Sequence, residues 1–417
     1  MFQNLKVDSS RGTVFSSVGL FLLLFLLTDC GPGTPAPNRP HGSQPLPPSA
    51  YVLSSAGDLT AYQTNGAMLW RQTGQAENAT ESDLPPVGTH LIVAKQALYA
   101  ATNVLSAYTR SGQVIWHQTL SAVALNMALG HLLYVAEEGG SVTAWNPTTG
   151  QLVWQQTGLL PVGDVVLAQD AHHLFVGGGN RLTAFDAQTG TVRWSYDGDP
   201  GEHMQQMDLH GSSLLLSTDG SLTDLDAQSG RQRWQQDTQT QARYVDGRTG
   251  TLYTIYIDVF LPAGGQAAAS SGLRATDLQS GNVLWQHPYP IQVGESGTIS
   301  PAGFLWASQT RLTSWTLQGR QRWQQPYQGA PVVQVQALGT SSFLVSTRDG
   351  VLTDLDVQAG HQRWQQAVGS RTSVTDIRVH SSLIWVISTD ALHVLTPAGD
   401  KQWALETLPA SAAVALA

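Results

Sequence analysis

Leu182-Thr183-Ala184-Phe185-Asp186-Ala187-Gln188-Thr189-Gly190-Thr191-Val192-Arg193-Trp194 is the stretch that decides the fold. Leu182, Ala184 and Asp186 alternate with Thr183 and Phe185, the period of two that marks a β-strand. Asp186 to Gly190 then reverse the chain, because an Asp side chain bonds backbone amides two residues on and Gly takes positive φ without strain. A second strand closes on Trp194. A Gly followed four residues later by a Trp recurs nine times, ending at Trp70, Trp116, Trp154, Trp194, Trp234, Trp285, Trp323, Trp364 and Trp403. Successive Trp are 46, 38, 40, 40, 51, 38, 41 and 39 residues apart, and so regular a spacing of short strands reads as a propeller or a similar array.

Each unit also carries an apolar run ahead of the motif, such as Leu133–Glu137, Leu174–Gly178 or Phe343–Thr347, and most carry a looser Pro/Val segment before that, such as 161–167 and 331–338. Four strands per unit make a propeller blade. A buried indole covers ~150–250 Å², worth up to several kcal/mol at about 25 cal/mol/Å². Nine Trp at equivalent positions are therefore expected to form a ring of contacts between adjacent units, in preference to stacking on a ligand.

The pattern Leu-x-Ala-x-Asp-x-x-Thr-Gly-x-x-x-Trp resembles the quinoprotein-type (PQQ-like) β-propeller repeat, and the resemblance extends over residues 51 to 417. It implies an all-β chain folded as a single propeller of four-stranded blades. No Trp-Asp dipeptide occurs, which argues against a WD40 propeller. Nine units are counted; eight blades is the usual number for this resemblance and stands as the alternative, with one unit irregular or outside the ring. The first unit lacks its leading strand, and Thr407–Ala417 is apolar enough to supply it. N- and C-terminal strands in one blade would close the ring and remove its open edges.

Ahead of the repeats, residues 1–30 read as a targeting segment. Lys6 and Arg11 precede Val14–Leu27, a charge-free run too short to span a bilayer and suited to a secretory signal. Cys30, the sole cysteine, follows in Leu27-Thr28-Asp29-Cys30-Gly31, which resembles a bacterial lipobox whose Cys is lipidated. Asp29 departs from the small residue usual before that Cys; the other reading is an ordinary signal with an incidental thiol. Residues 31–50 hold seven Pro and few apolar residues, the composition of an extended linker. The net charge is −9, with three Lys against 18 Arg and no basic run, so nucleic acid is not an expected partner.

Two units are longer than the rest. Residues 75–83 form an acidic loop with Glu77, Glu81 and Asp83. Between Leu252 and Leu273 an insert reads Tyr253-Thr254-Ile255-Tyr256-Ile257-Asp258-Val259-Phe260 and continues into a Gly/Ala/Ser-rich segment at 261–272. It is expected to rise above one ring face as a hairpin or loop, with Tyr253, Tyr256 and Phe260 as candidate partner contacts.

Chemistry-bearing residues are sparse. Asp224/Asp226 and Asp354/Asp356 share a strand face at i, i+2, a spacing open to a calcium site or an acid/base pair, but in plain repeats they read as solvated strand ends. His172-His173 reads as a surface turn, and Gly177-Gly178-Gly179 as a turn between strands rather than a phosphate loop. Arg231-Gln232-Arg233-Trp234-Gln235-Gln236, 320–325 and 361–366 read as charged outermost strands that guard an exposed edge. Quinone-dependent dehydrogenases, which share the repeat, carry a calcium site, a catalytic Asp and a vicinal Cys pair. The single Cys at the processing site leaves that pair without a counterpart, so no cofactor, metal or catalytic residue is assigned. The layout of signal, lipid-type Cys, linker and propeller resembles that of the propeller lipoproteins of outer-membrane β-barrel assembly. The expectation is an exported, non-catalytic, monomeric scaffold for envelope proteins, attached to a membrane through an N-terminal lipid alone. An exported quinoprotein-like enzyme or a small-ligand sensor using the central channel is the rival.

Overall fold

The computed structural model describes residues 48–74, 89–158, 165–260, 268–289, 295–308, 310–368, 374–388, 391–408 and 412–417. The signal segment, Cys30, nearly all of the linker and the acidic loop 75–83 lie outside these residues. All regular elements described are strands, arranged as nine four-stranded antiparallel sheets, one for each unit counted in the sequence. Numbered from the N-terminus, blade 4 comprises Val165–Gln169, His173–Gly178, Arg181–Asp186 and Val192–Asp197, in that order from the inside of the ring outward. Blades 2 to 9 repeat this order.

Blade 1 is assembled from both chain ends. Ala50–Leu53, Leu59–Tyr62 and Met68–Gln72 receive their innermost strand from Ala413–Leu416, with Ala50 opposite Leu416 and Leu53 opposite Ala413. Ala50 is already fully buried, so the propeller begins a residue ahead of the expected Tyr51. The closing strand is clasped from blade 9, whose innermost strand is Val374–His380: the Arg378 guanidinium donates to the Val414 carbonyl at 2.7 Å. Comparable clasps join other inner strands, as where Asn126 donates to the Val165 carbonyl at 2.9 Å.

The two middle strands of each blade are sandwiched between neighbouring blades on both faces, which is why they read as near-continuous apolar runs. Leu133–Glu137 and Ser141–Trp145 are buried at every position. The outermost strands alternate between buried and exposed residues instead.

The turn between third and outermost strands locks one blade to the next. Asp186 Oδ1 accepts the amides of Gln188 (3.1 Å) and Thr189 (2.9 Å), and Gly190, at φ +70°, returns its amide to the Asp186 carbonyl at 2.9 Å. That turn lies on the Trp of the preceding blade: a Cβ on Gly190 would sit 2.5 Å from the Trp154 ring. The Trp154 indole N–H donates to the Ala187 carbonyl of the same turn at 3.2 Å. Equivalent bonds leave Trp70, Trp116, Trp194, Trp234, Trp323 and Trp364. Trp403 of blade 9 packs beneath Gly66 of blade 1, so the same contact closes the ring. A β-bulge just ahead of each Trp, such as the one between Ala184 and Phe185, turns the indole toward its neighbour.

Candidate functional site

Blade 6 is where the repeat is most altered. Its strands are Gln239–Asp246, Thr251–Phe260, Ala268–Asp277 and Val283–Pro288. The two middle strands pair without interruption from Thr251 opposite Asp277 to Phe260 opposite Ala268. The inner strand stops at Gln239, opposite Ile257, and the outer one at Pro288, opposite Gly272. Asp258–Phe260 and 268–270 therefore continue past the blade as a two-stranded ribbon. The expected hairpin is present, at the ring face opposite the Asp-to-Gly turns.

The root of this ribbon is fixed by Arg274, only 6% exposed. Its guanidinium lies 4.0 Å from the centroid of the Tyr256 ring and pairs with Asp258 Oδ2 at 2.5 Å. It also donates to Gln286 at 3.2 Å and, across the blade boundary, to Gln236 of blade 5 at 3.1 Å. The Gln286 amide donates in turn to the Tyr256 hydroxyl at 2.5 Å. A planar, permanently charged fork suits such a site, since it satisfies several acceptors while stacking on an aromatic face.

Of the three aromatic residues expected from sequence as partner contacts, Tyr253 and Tyr256 lie below the ribbon. Tyr256 is fully buried beneath Arg274, and Tyr253 is buried against Tyr244, Trp285 and Phe304 of blade 7. Both belong to the part of the strand sandwiched between blades, so their rings are core and unavailable to a partner. The Phe260 side chain lies outside the described residues.

The paired carboxylates also differ from expectation. Asp226 and Asp356 are turn residues at the surface, but Asp224 and Asp354 are buried within blades 5 and 8. In blade 5 the Arg233 guanidinium spans the pair, 3.4 Å from Asp224 Oδ2 and 2.7 Å from Asp226 Oδ2, and donates to Ser213 Oγ at 2.8 Å. In blade 8 Arg363 repeats this with Asp356 (2.5 Å) and Ser342 (2.6 Å). Burial pushes the Asp224 carboxyl up to about 6, against the pull of Arg233, and raises Asp354 for the same reason. Hydrogen bonds from Ser229 hold Asp226 below the usual carboxylate range. The signal missed was the Arg nine residues after each inner Asp, together with a Ser eleven or twelve residues before it. Those Arg lie on outermost strands, as the edge-guarding reading requires, and also close a clamp.

The remaining candidates are structural. His172 is exposed, and His173 Nδ1 lies 3.1 Å from Asp170 within the same turn. A cleft of about 390 Å³ between blades 7 and 8 is lined mainly by neutral groups, among them Gln325, Gln362 and Gln365, and the Tyr327 hydroxyl there is already committed to the Ala330 carbonyl at 2.6 Å. Among the described residues no three His, Cys, Asp or Glu side chains come together as metal ligands.

The sequence model of a family described as outer membrane protein assembly factor BamB matches residues 101–250, 138–298 and 269–407. BamB of Salmonella typhimurium is 31% identical over 141 residues, 30% of this chain and 36% of that protein. BamB of Escherichia coli is 31% identical over 134 residues, 31% and 33% of the two chains, so the aligned stretch spans about a third of either relative. The quinoprotein alcohol dehydrogenase PedE of Pseudomonas putida is 40% identical over 63 residues, 15% of this chain and 10% of that one. Among solved structures, BamB from Moraxella catarrhalis aligns with 82% of this chain and 89% of its own at a TM-score of 0.49 and 16% identity. The computationally designed protein Ika8 aligns with 76% and 95% at a TM-score of 0.50 and 12% identity, a likeness of fold alone.

Proposed function

The chain belongs to the family of the outer membrane protein assembly factor BamB, and from that premise we propose that it is a non-catalytic propeller scaffold for outer-membrane protein assembly. The observation that carries this reading is the family match itself, which runs from residue 101 to 407, through every blade from the third to the ninth. The site's chemistry agrees with it. Arg233 spans the buried Asp224 and Asp226, and the Trp ring is consumed by blade contacts, leaving exposed loops and, among the described residues, a projecting ribbon for recognition.

The reading places the protein in the cell envelope, exported by residues 1–30 and held at a membrane by lipid on Cys30, with the propeller a monomer. Depletion in its native host tests the assembly role. The amount of folded, heat-modifiable outer-membrane β-barrel protein should fall, and unchanged levels over several generations would overturn the role. Mass spectrometry of the native protein tests the anchor: an N-terminal acylated Cys30 is expected, and an unmodified Cys30 or a mature N-terminus elsewhere would remove the anchor while leaving export in place. The rival, a quinone-dependent enzyme, rests on the short stretch shared with the Pseudomonas dehydrogenase. A redox chromophore retained through purification would favour it.

A further inference from the structure

We propose that the ribbon of blade 6 is a strand-addition site, whose free main-chain edge at Asp258–Phe260 pairs with an extended segment of another protein. Three observations carry this beyond the scaffold reading. The first is the edge itself. Past Ile257 no strand among the described residues lies beside Asp258–Phe260 except its hairpin partner, so backbone donors and acceptors on the other side face outward. The opposite strand is held at its root, where the Tyr289 amide donates to the Ser271 carbonyl at 2.7 Å.

The second observation is that this edge carries no Lys, Arg or Pro, and its one charge, Asp258, is neutralised at the root by Arg274. Exposed edges are normally protected by Lys, Arg, Pro or an inward charge, and the outermost strands of blades 5, 7 and 8 carry Arg and Gln in that way. The ribbon strands 258–260 and 268–271 contain only Val, Phe, Ala and Ser besides Asp258, and Asp258 is already paired with Arg274. An uncharged edge disfavours an anionic surface or nucleic acid as occupant and suits a neutral polypeptide.

The third observation is the rooted geometry. Arg274 fixes the ribbon at both strands and to blade 5, so the edge is presented pre-ordered and little entropy is lost on docking. Because Tyr253 and Tyr256 are turned inward, recognition falls to the main chain, the mode in which an extended peptide augments a sheet edge. The occupant is therefore an extended, uncharged segment of another polypeptide, held through its main chain.

The isolated full-length protein tests this by amide hydrogen exchange, so a failure leaves the assembly role standing. The probe is a soluble peptide of alternating Thr and Val with a Lys at each end, compared with the same peptide N-methylated at every second amide. At three times its Kd the unmodified peptide should slow exchange of those Asp258–Phe260 amides that face away from the hairpin partner about fourfold. The methylated peptide should not, nor should either peptide protect a variant in which residues 259–269 are replaced by Asn-Gly. Equal protection by both peptides would show side-chain recognition, and no protection at millimolar peptide would show a closed edge. Concentration-dependent protection without peptide, with a dimer in sedimentation, would assign the edge to a second copy. Each of these three results overturns the proposal.

Discussion

Blade 4 and blade 6 are built on one repeat and differ at opposite ends of the sheet. In blade 4 the middle strands turn tightly, with Gly178 opposite Arg181, and the Trp194 indole bonds the next blade at Ala227. In blade 6 the same two strands stay paired as far as Phe260 opposite Ala268. There Trp285 packs on His287 at 5.2 Å, and a Cβ on Gly319 would meet the His287 ring first, at 2.5 Å. The end of the blade that meets its neighbour through the turn glycine keeps that glycine against the preceding Trp in eight interfaces and admits only His287 between them in the ninth, because the ring closes only if all nine agree. Beyond its root, the other end of the middle hairpin pairs only with itself among the described residues, so length and composition vary there freely. Departures from the repeat thus collect where binding is cheapest to evolve, on a rigid support.

Substitution at the locks gives the largest expected effect. Trp154→Ala removes a buried ring packed on Tyr134 and Phe185 together with its bond to Ala187, and should cost ~3–5 kcal/mol in equilibrium unfolding. Trp285→Ala, at the altered interface, should cost less by at least about 1 kcal/mol, since its ring is only partly buried. Equal losses would mean that the indole bond and the enclosure around Trp154 add nothing, and the contrast between the two blades would fail.

Arg274→Met probes the device that blade 6 has and blade 4 lacks. It leaves the part-buried Asp258 without its cation and should destabilise by about 1–3 kcal/mol. Adding Asp258→Asn should restore part of this loss, because the two side chains are coupled. Additive losses in the double variant would show that the pair does not hold the ribbon.

Blade 5 departs from blade 4 at a buried position rather than a free end, with Asp224 where blade 4 has Ala184. The folded carboxyl keeps its proton up to about 6, whereas its ordinary value is 3.8. Between those values the folded state binds more protons than the unfolded one, so stability rises as pH falls through 6. From pH 7.5 to 5 the parent should gain about 1–2 kcal/mol relative to Asp224→Ala, which leaves Arg233 paired with Asp226. Parallel pH profiles for the two proteins would place the Asp224 proton elsewhere.

How far the sequence disclosed this follows from what repeats. Gly190 and Trp194 recur with their neighbours, and a recurring pattern reports its own packing. Blade number, strand order and the closing strand were therefore legible, including the choice of nine over eight. Burial was legible only where composition tracks it. Tyr253 and Tyr256 look alike in a solvent-facing loop and in a core, because aromatic residues serve both, and only the pairing with Ala275 and Gly272 places them inside the blade. Asp224 misled for the opposite reason: a carboxylate is read as surface unless its distant cation is recognised, and Arg233 is adjacent only across a hairpin.

Shortening the ribbon should have the smallest effect on stability, and it tests the comparison most directly. Replacing residues 259–269 by Asn-Gly keeps Asp258 opposite Ser270, so Arg274 retains its partner and Tyr256 its cover. The removed strands pair only with each other among the described residues, and an Asn-Gly turn suits a tight two-residue hairpin. Loop-closure entropy changes slowly with length, so the shift should stay within about 0.5 kcal/mol. A larger loss would mean that the ribbon supports the ring, and blade 6 would then differ from blade 4 in how it folds rather than in what it presents.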